Sequence, residues 1–225
     1  MAERRLDSDR EIALEQLPRE IRPAFSALWN LDLAFADVVA TSSDPRLGAI
    51  RLAWWRERIE ELEASGAPPA EPRLVRVVSE LLSRRIGAEE LSQLEDAWLP
   101  LLEAFPWGER QAAGLKLRGR ILFGVGARLL CGEPSIVNSA GELWSLVDGA
   151  RHCSDAVSRK VLLCEARSLL ERLPKAVPRN LRRLTVLGAI AARDLLTGER
   201  AAKVSPWRRF GAALRHGALG TFPRG

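Results

Sequence analysis

Apolar residues recur at intervals of three and four along almost the whole chain, and no stretch sustains the two-residue alternation of a half-buried strand. The pattern predicts an all-α protein. In "RPAFSALWNLDLAFADVVA", Phe25, Leu28, Trp29, Phe35, Val38 and Val39 mark a broadly buried helix that begins near Pro23 and stops in "TSSDP". Asp44 and Pro45 then open a second helix, since aspartate accepts from the unpaired amides of a first turn and proline has its φ pre-set for the first helical position. Leu47, Ile50, Trp54, Trp55, Ile59 and Leu62 form its apolar stripe, and "ASGAPPAEP" ends it. So short a connection makes the two helices antiparallel neighbours. Further helical patterns cover residues 72–86, 88–104, 109–131, 139–155, 158–173, 178–197 and 206–217, with proline or glycine in most of the gaps. In "GLKLRGRILFGVGARLLCG", Gly114, Gly119, Gly124 and Gly126 sit inside a helical pattern, although each costs about 1 kcal/mol relative to alanine. Close helix packing or a bound ligand would justify them, packing being the first expectation.

A chain of 225 residues, 47% hydrophobic, can bury one sizeable core, and no repeat or low-complexity tract divides it; a single domain over residues 1–225 is expected. Cys131, Cys153 and Cys164 are too few and too widely spaced for a disulfide framework or a paired-cysteine zinc site, which fits a reducing compartment. The N-terminal "MAERRLDSDREIALEQL" lacks the apolar core of a secretory signal, and runs such as "LTVLGAIAA" fall short of the roughly 20 residues that span a bilayer. The expected location is cytoplasmic, with peripheral association on the inner membrane face left open.

Charge changes the picture at one end only. Residues 200–225 hold Arg200, Lys203, Arg208, Arg209, Arg215 and Arg224 and no acid, whereas the rest of the chain carries 28 basic and 29 acidic side chains. The net charge of +5 therefore resides in the C-terminal segment. In "SPWRRFGAALRHG", Ser205 and Pro206 cap a helix with Trp207, Phe210, Leu214 and Ala218 on one face and Arg208, Arg209, Arg215 and His216 on the other. Trp207, Arg208, Arg209, Phe210 and Arg215 are thus candidates for contact with an anionic membrane surface. Packing of the apolar face on the bundle is the competing reading. Without a reader motif, nucleic acid is not the expected partner.

The "FADVVA" helix end, the stretch "DPRLGAIRLAWWRERIEEL" with "IRLAWWRE" as its most specific part, the later "GRILFGVGARLLCG", and "LTVLGAIAARDLL" followed by "SPWRRFGAALRH" together resemble the squalene/phytoene synthase family. The resemblance implies an all-α helical bundle of the isoprenoid synthase type around a central cavity. Its enzymes join two prenyl diphosphates head to head. Their chemistry rests on carboxylates spaced i, i+4 on two facing helices, where hard Mg²⁺ ions hold the diphosphate as it leaves. Here the first acid pattern falls on Ala36, Asp37 and Ala40, with Asp32 a turn upstream. Near the second, Asp148, His152 and Asp155 follow at i, i+4 and i+7, on one face of a single helix, and the chain has no tyrosine. The catalytic candidates are accordingly Asp37, Asp148 and Asp155.

Candidate ligand-binding residues are Asp32, Arg51, Trp54, Arg56 and His152. Asp32 lies among apolar neighbours and reads either as a ligand or as a buried acid paired with an arginine such as Arg51 or Arg56. Arg51 and Arg56 border the tryptophans, and guanidinium forks suit diphosphate oxygens. Trp54 and Trp55 point about 100° apart, one toward the core and one toward a hairpin contact or cavity. Asp148, His152 and Asp155 have the spacing of a partial metal shell or of an exposed polar face; no metal site is assigned. With the acid motifs depleted, the chain resembles the family's degenerate branch, which includes an assembly factor for respiratory complex I. The expectation is a non-catalytic or catalytically altered member with a reduced cavity, binding a prenylated or anionic lipid or a protein partner at the membrane surface. The alternative is an active Mg²⁺-dependent prenyltransferase making a squalene- or phytoene-type hydrocarbon from prenyl diphosphates.

Overall fold

The computed structural model describes residues 6–65, 70–198 and 206–223, and side chains other than those of residues 64, 65 and 206–208. Among the described residues every regular element is helical: α1 (Ser8–Gln16), α2 (Arg22–Thr41), α3 (Pro45–Ser65), α4 (Pro72–Glu80), α5 (Ala88–Ser92), α6 (Leu94–Trp98), α7 (Glu109–Leu129), α8 (Asn138–His152), α9 (Ala156–Ser168), α10 (Arg182–Thr197) and α11 (Pro206–Leu219), with short 3₁₀ turns between some of them. The all-α expectation holds, and none of these helices is long and apolar enough to cross a membrane.

Several boundaries differ from the sequence pattern for physical reasons. The single helix expected over residues 88–104 divides at Gln93 into α5 and α6, and it passes into a 3₁₀ turn, Leu99–Leu102, where Pro100 has no amide to continue the ladder. Helix α4 stops at Glu80, and the chain passes through a 3₁₀ turn to Arg85, which sits in the left-handed region at φ 62°. Helix α10 begins at Arg182, after a turn through Pro178, rather than at residue 178. Helix α1 was not anticipated at all. Asp7 caps it by accepting from the amides of Asp9 and Arg10, yet its low apolar content hides it from a periodicity test.

Helices α7 and α8 make the most extensive pairing in the bundle, and α10 packs on α8. The α7–α8 crossing is set by two glycines. A Cβ on Gly119 would lie 2.2 Å from the Gly141 carbonyl oxygen, and one on Gly141 would lie 2.5 Å from that of Gly119. Gly114 is similarly close to the Ala97 carbonyl on α6, whereas a Cβ on Gly124 would meet nothing nearer than 3.9 Å. Three of the four glycines noted in the helical pattern therefore answer to packing, Gly126 being hemmed in by Leu184 and Phe25 at 3.0 Å. Trp29 and Phe25, in T-shaped contact, and Phe123 beside Trp144 fill the centre of the core.

Gly119→Ala should destabilise the protein by about 2–3 kcal/mol in urea denaturation, because backbone rather than a flexible side chain must move. Gly124→Ala should raise stability by about 1 kcal/mol in the same assay, through helix propensity with no clash to offset it.

Candidate functional site

Helix α2 carries the first positions of interest, and its faces divide them. Ala36 and Ala40, one turn apart, line a cavity of about 640 Å³ together with Leu33, Trp98, Leu101, Leu115, Asp148 and His152. These are the two positions that share a face in the expected acid pattern, and they look across the cavity to α8. Asp37 is turned away. It accepts from Arg73 Nη2 at 3.2 Å and borders a separate cavity of about 540 Å³ between α2, α3 and α4, with Arg51, Trp54 and Trp55.

One turn before Ala36, Asp32 is fully buried. Its expected partners, Arg51 and Arg56, do not reach it. Arg51 donates to the Thr41 and Ser42 hydroxyls, and Arg56 donates to Glu95 at 2.8 Å. Asp32 is instead gripped by Arg118 of α7, whose Nε and Nη2 reach its two oxygens at 2.8 and 2.7 Å, by Arg10 Nη2 of α1 at 3.0 Å, and by the Trp98 indole N–H at 3.0 Å. Arg118 extends to Asp148 Oδ2 at 2.9 Å, and its guanidinium lies between the Trp98 and Trp144 rings at 4.8 and 4.9 Å. Arg10 lies over Trp144 and also pairs with Asp7. Burial alone would raise the Asp148 carboxyl, but the guanidinium groups of Arg118 and Arg10 reverse this and hold it well below the usual carboxylate range.

The three acid-face residues expected on one helix are separated. Helix α8 ends at His152, so Asp148 and His152 face the cavity one turn apart while Asp155 lies beyond the helix. Asp155 is the N-cap of α9, accepting from the Ser158 amide and hydroxyl at 2.7 and 2.6 Å. Those bonds hold its carboxyl below the usual range. His152 is exposed, with Nδ1 2.9 Å from the Asp148 carbonyl oxygen, where it donates in the corresponding tautomer. Trp54 is 41% exposed and sits edge-on to the buried Trp55, so one tryptophan is core and the other meets solvent beside the α2–α3–α4 cavity.

A Mg²⁺ clamp needs several oxygens free to converge. Ala36 and Ala40 offer none, Asp32 and Asp148 are engaged by guanidinium groups, Asp37 faces Arg73, and Asp155 caps a helix. Among the described residues no three His, Cys, Asp or Glu side chains form a group suited to a metal ion. The donor set does not fit Mg²⁺.

Arg10, Arg118, Trp98 and Trp144 were missed as site residues. Arg118 carried a signal: with Leu115 and Leu122 it falls on the buried stripe of α7, where an unaccompanied arginine implies a buried partner. Arg10 carried none, since α1 has no apolar stripe.

A helical bundle with a cavity between facing helices is consistent with the isoprenoid synthase fold. The squalene/phytoene synthase family model matches residues 4–104, which run from the start of α1 past α6. The matched stretch includes Ala36, Ala40 and "IRLAWWRE"; Arg118 and Asp148 lie outside it. Neither a curated protein nor a solved structure matches the chain.

Replacing Asp32 by alanine leaves two guanidinium groups buried without their shared acid and should cost about 3–5 kcal/mol in denaturant titration. Because the folded Asp148 pKa lies below its unfolded value, the stability it confers is complete above about pH 4 and is lost as pH falls through the acid range. In Asp148→Asn, the acid-limb slope of stability against pH should be shallower by the share of one proton.

Proposed function

We propose that this protein is a non-catalytic relative of the squalene/phytoene synthases that holds an isoprenoid chain, or a lipid with similar tails, in the cavity between α2 and α8. The observation that carries this reading is that Ala36 and Ala40, where the resemblance places carboxylates, line a cavity that stays open. About 640 Å³ lies within the range of small-molecule sites, and most of the wall is apolar: Leu33, Val39, Leu101, Leu102, Leu115, Phe105 and Trp107. A bundle serving only as a structural module would have been expected to fill it.

Charge favours a neutral head over a diphosphate. Arg10 and Arg118 are matched by Asp7, Asp32 and Asp148, so the polar end has no surplus of positive charge for a multiply charged anion. One donor is spare there: Arg10 Nε is buried without a hydrogen-bond partner among the described residues. A hydroxyl or carbonyl oxygen on the ligand would satisfy it. The site thus suits a prenyl alcohol or a prenylated ring better than the substrate of a prenyltransferase, and the depleted acid set favours carriage or assembly work over turnover.

Trp98 and Trp107 line the cavity and supply a signal. Titration of purified protein with farnesol or geranylgeraniol should change tryptophan fluorescence saturably, with at least tenfold weaker response to farnesyl diphosphate. Ala36→Phe should abolish the change by occupying the cavity. Diphosphate release from farnesyl or geranylgeranyl diphosphate with Mg²⁺, above a protein-free blank, would establish the active synthase instead.

A further inference from the structure

The C-terminal helix does not dock as its sequence pattern suggests. Arg209, from the expected basic face, turns inward and donates to Asp9 at 3.1 Å and Asp194 at 3.4 Å, and Arg151 of α8 bridges the same two acids. His216 is buried too, with Nε2 2.8 Å from the Thr185 hydroxyl and Nδ1 3.0 Å from the Thr221 carbonyl oxygen. Ala213 completes this inward face. Phe210, Leu214 and Leu219 are left 44%, 52% and 56% exposed, beside the exposed Arg215. The side chains of Trp207 and Arg208 lie outside the described residues.

A second basic segment meets this helix. Residues 172–193 contain Arg172, Lys175, Arg179, Arg182, Arg183 and Arg193 and no acid. The segment is joined to the end of α11 by the Val177 amide donating to the Gly220 carbonyl at 2.9 Å and by Arg182 Nη1 donating to the Ala218 carbonyl at 2.6 Å. Arg172, Lys175, Arg179 and Arg183 are all exposed. Segments 172–193 and 200–225 together hold 12 of the 34 basic residues and none of the 29 acidic ones, so the remainder of the chain has a net charge of −7. Between α10 and α11 a cavity of about 360 Å³ is lined by Arg193, Arg215 and His216 and by no acid. Arg193 Nη1 is buried without a hydrogen-bond partner among the described residues, a donor in want of an anionic oxygen.

We propose that the face formed by residues 172–183 and α11 docks on an anionic lipid bilayer, with Phe210 and Leu214 entering the interface and a headgroup phosphate meeting Arg193 and Arg215. Charge complementarity selects the anionic surface, and the exposed apolar side chains select lipid over nucleic acid, to which they would offer no groove or base contact of their own. The proposal stands apart from the cavity reading, since vesicle binding and prenyl alcohol binding use different residues.

The test is co-sedimentation of the full chain with phosphatidylcholine vesicles, with and without phosphatidylglycerol. Binding should require phosphatidylglycerol and weaken with added salt. Each basic residue at such a surface is worth about fivefold in partition, so Lys175→Glu/Arg179→Glu/Arg183→Glu should reduce binding at least about a hundredfold. Phe210→Gln/Leu214→Gln should also reduce it, about tenfold or more, and inorganic phosphate at millimolar level should not displace the protein. All five substituted side chains are exposed, and thermal melts of both variants should match the parent. Equal binding to the two vesicle types, displacement by inorganic phosphate, or retention of a duplex RNA that the glutamine variant leaves unchanged while vesicles fail to bind would each overturn the proposal.

Discussion

The buried pairing of Asp32 with Arg118 is the constraint around which the bundle is arranged. Moving a carboxylate and a guanidinium out of water costs several kcal/mol per ion, and their attraction offsets this only when geometry is good and the remaining donors are matched. Both conditions are met. Arg118 binds Asp32 through two parallel N–H groups, its third nitrogen serves Asp148, and the planar faces of the guanidinium are covered by Trp98 and Trp144. Reaching Asp32 from α7 while remaining beside α8 demands that these two helices approach closely, and the Gly119–Gly141 crossing permits it. The glycines, two tryptophans and two arginines on α1 and α7 are thus parts of one solution.

That solution decides what the cavity can do chemically. Asp148 lines the cavity and Asp32 is buried against the same two guanidinium groups, so each acid already has cationic partners. A divalent ion placed there would compete with two guanidinium groups held by packing on five helices, and would bring their positive charges close to its own. Arginine occupies internally the role that a metal would play toward the acids. An apolar chain has no such conflict with the site.

Much of this architecture was legible in the sequence. Three- and four-residue periodicity gave the all-α class, and Asp44–Pro45 placed the start of α3. The alanines at positions 36 and 40 announced the depleted acid pattern. What the sequence hid were groups whose role depends on a distant partner. Arg10 lies 22 residues from Asp32, and Arg118 lies 86 residues from it, so no local spacing joins them. Asp155 was misplaced because a pattern of i, i+4 and i+7 looks the same whether the helix continues or breaks, and here the acid itself caps the next helix. For the C-terminal helix the sequence pattern admitted both membrane contact and packing of the apolar face on the bundle, and it could not show that an ionic cluster of Asp9, Arg151, Asp194 and Arg209 turns Arg209 inward.

Helix α1, absent from the sequence reading, links the two ionic clusters. Its consecutive residues Asp9 and Arg10 point to different partners, Asp9 to Arg151 and Arg209, Arg10 to Asp32 and Asp148. Arg151 and Asp148 are three residues apart on α8, and the Arg151 guanidinium, although burial opposes its charge, is held above its ordinary pKa first by Asp9 and Asp194 and then by Asp148. The floor of the cavity and the seat of α11 therefore share α1 and the C-terminal turn of α8 as common supports. Asp9, which Arg209 contacts from α11, is followed directly by Arg10, which contacts Asp32 and Asp148, so the proposed membrane face and the cavity share one nine-residue helix as a support.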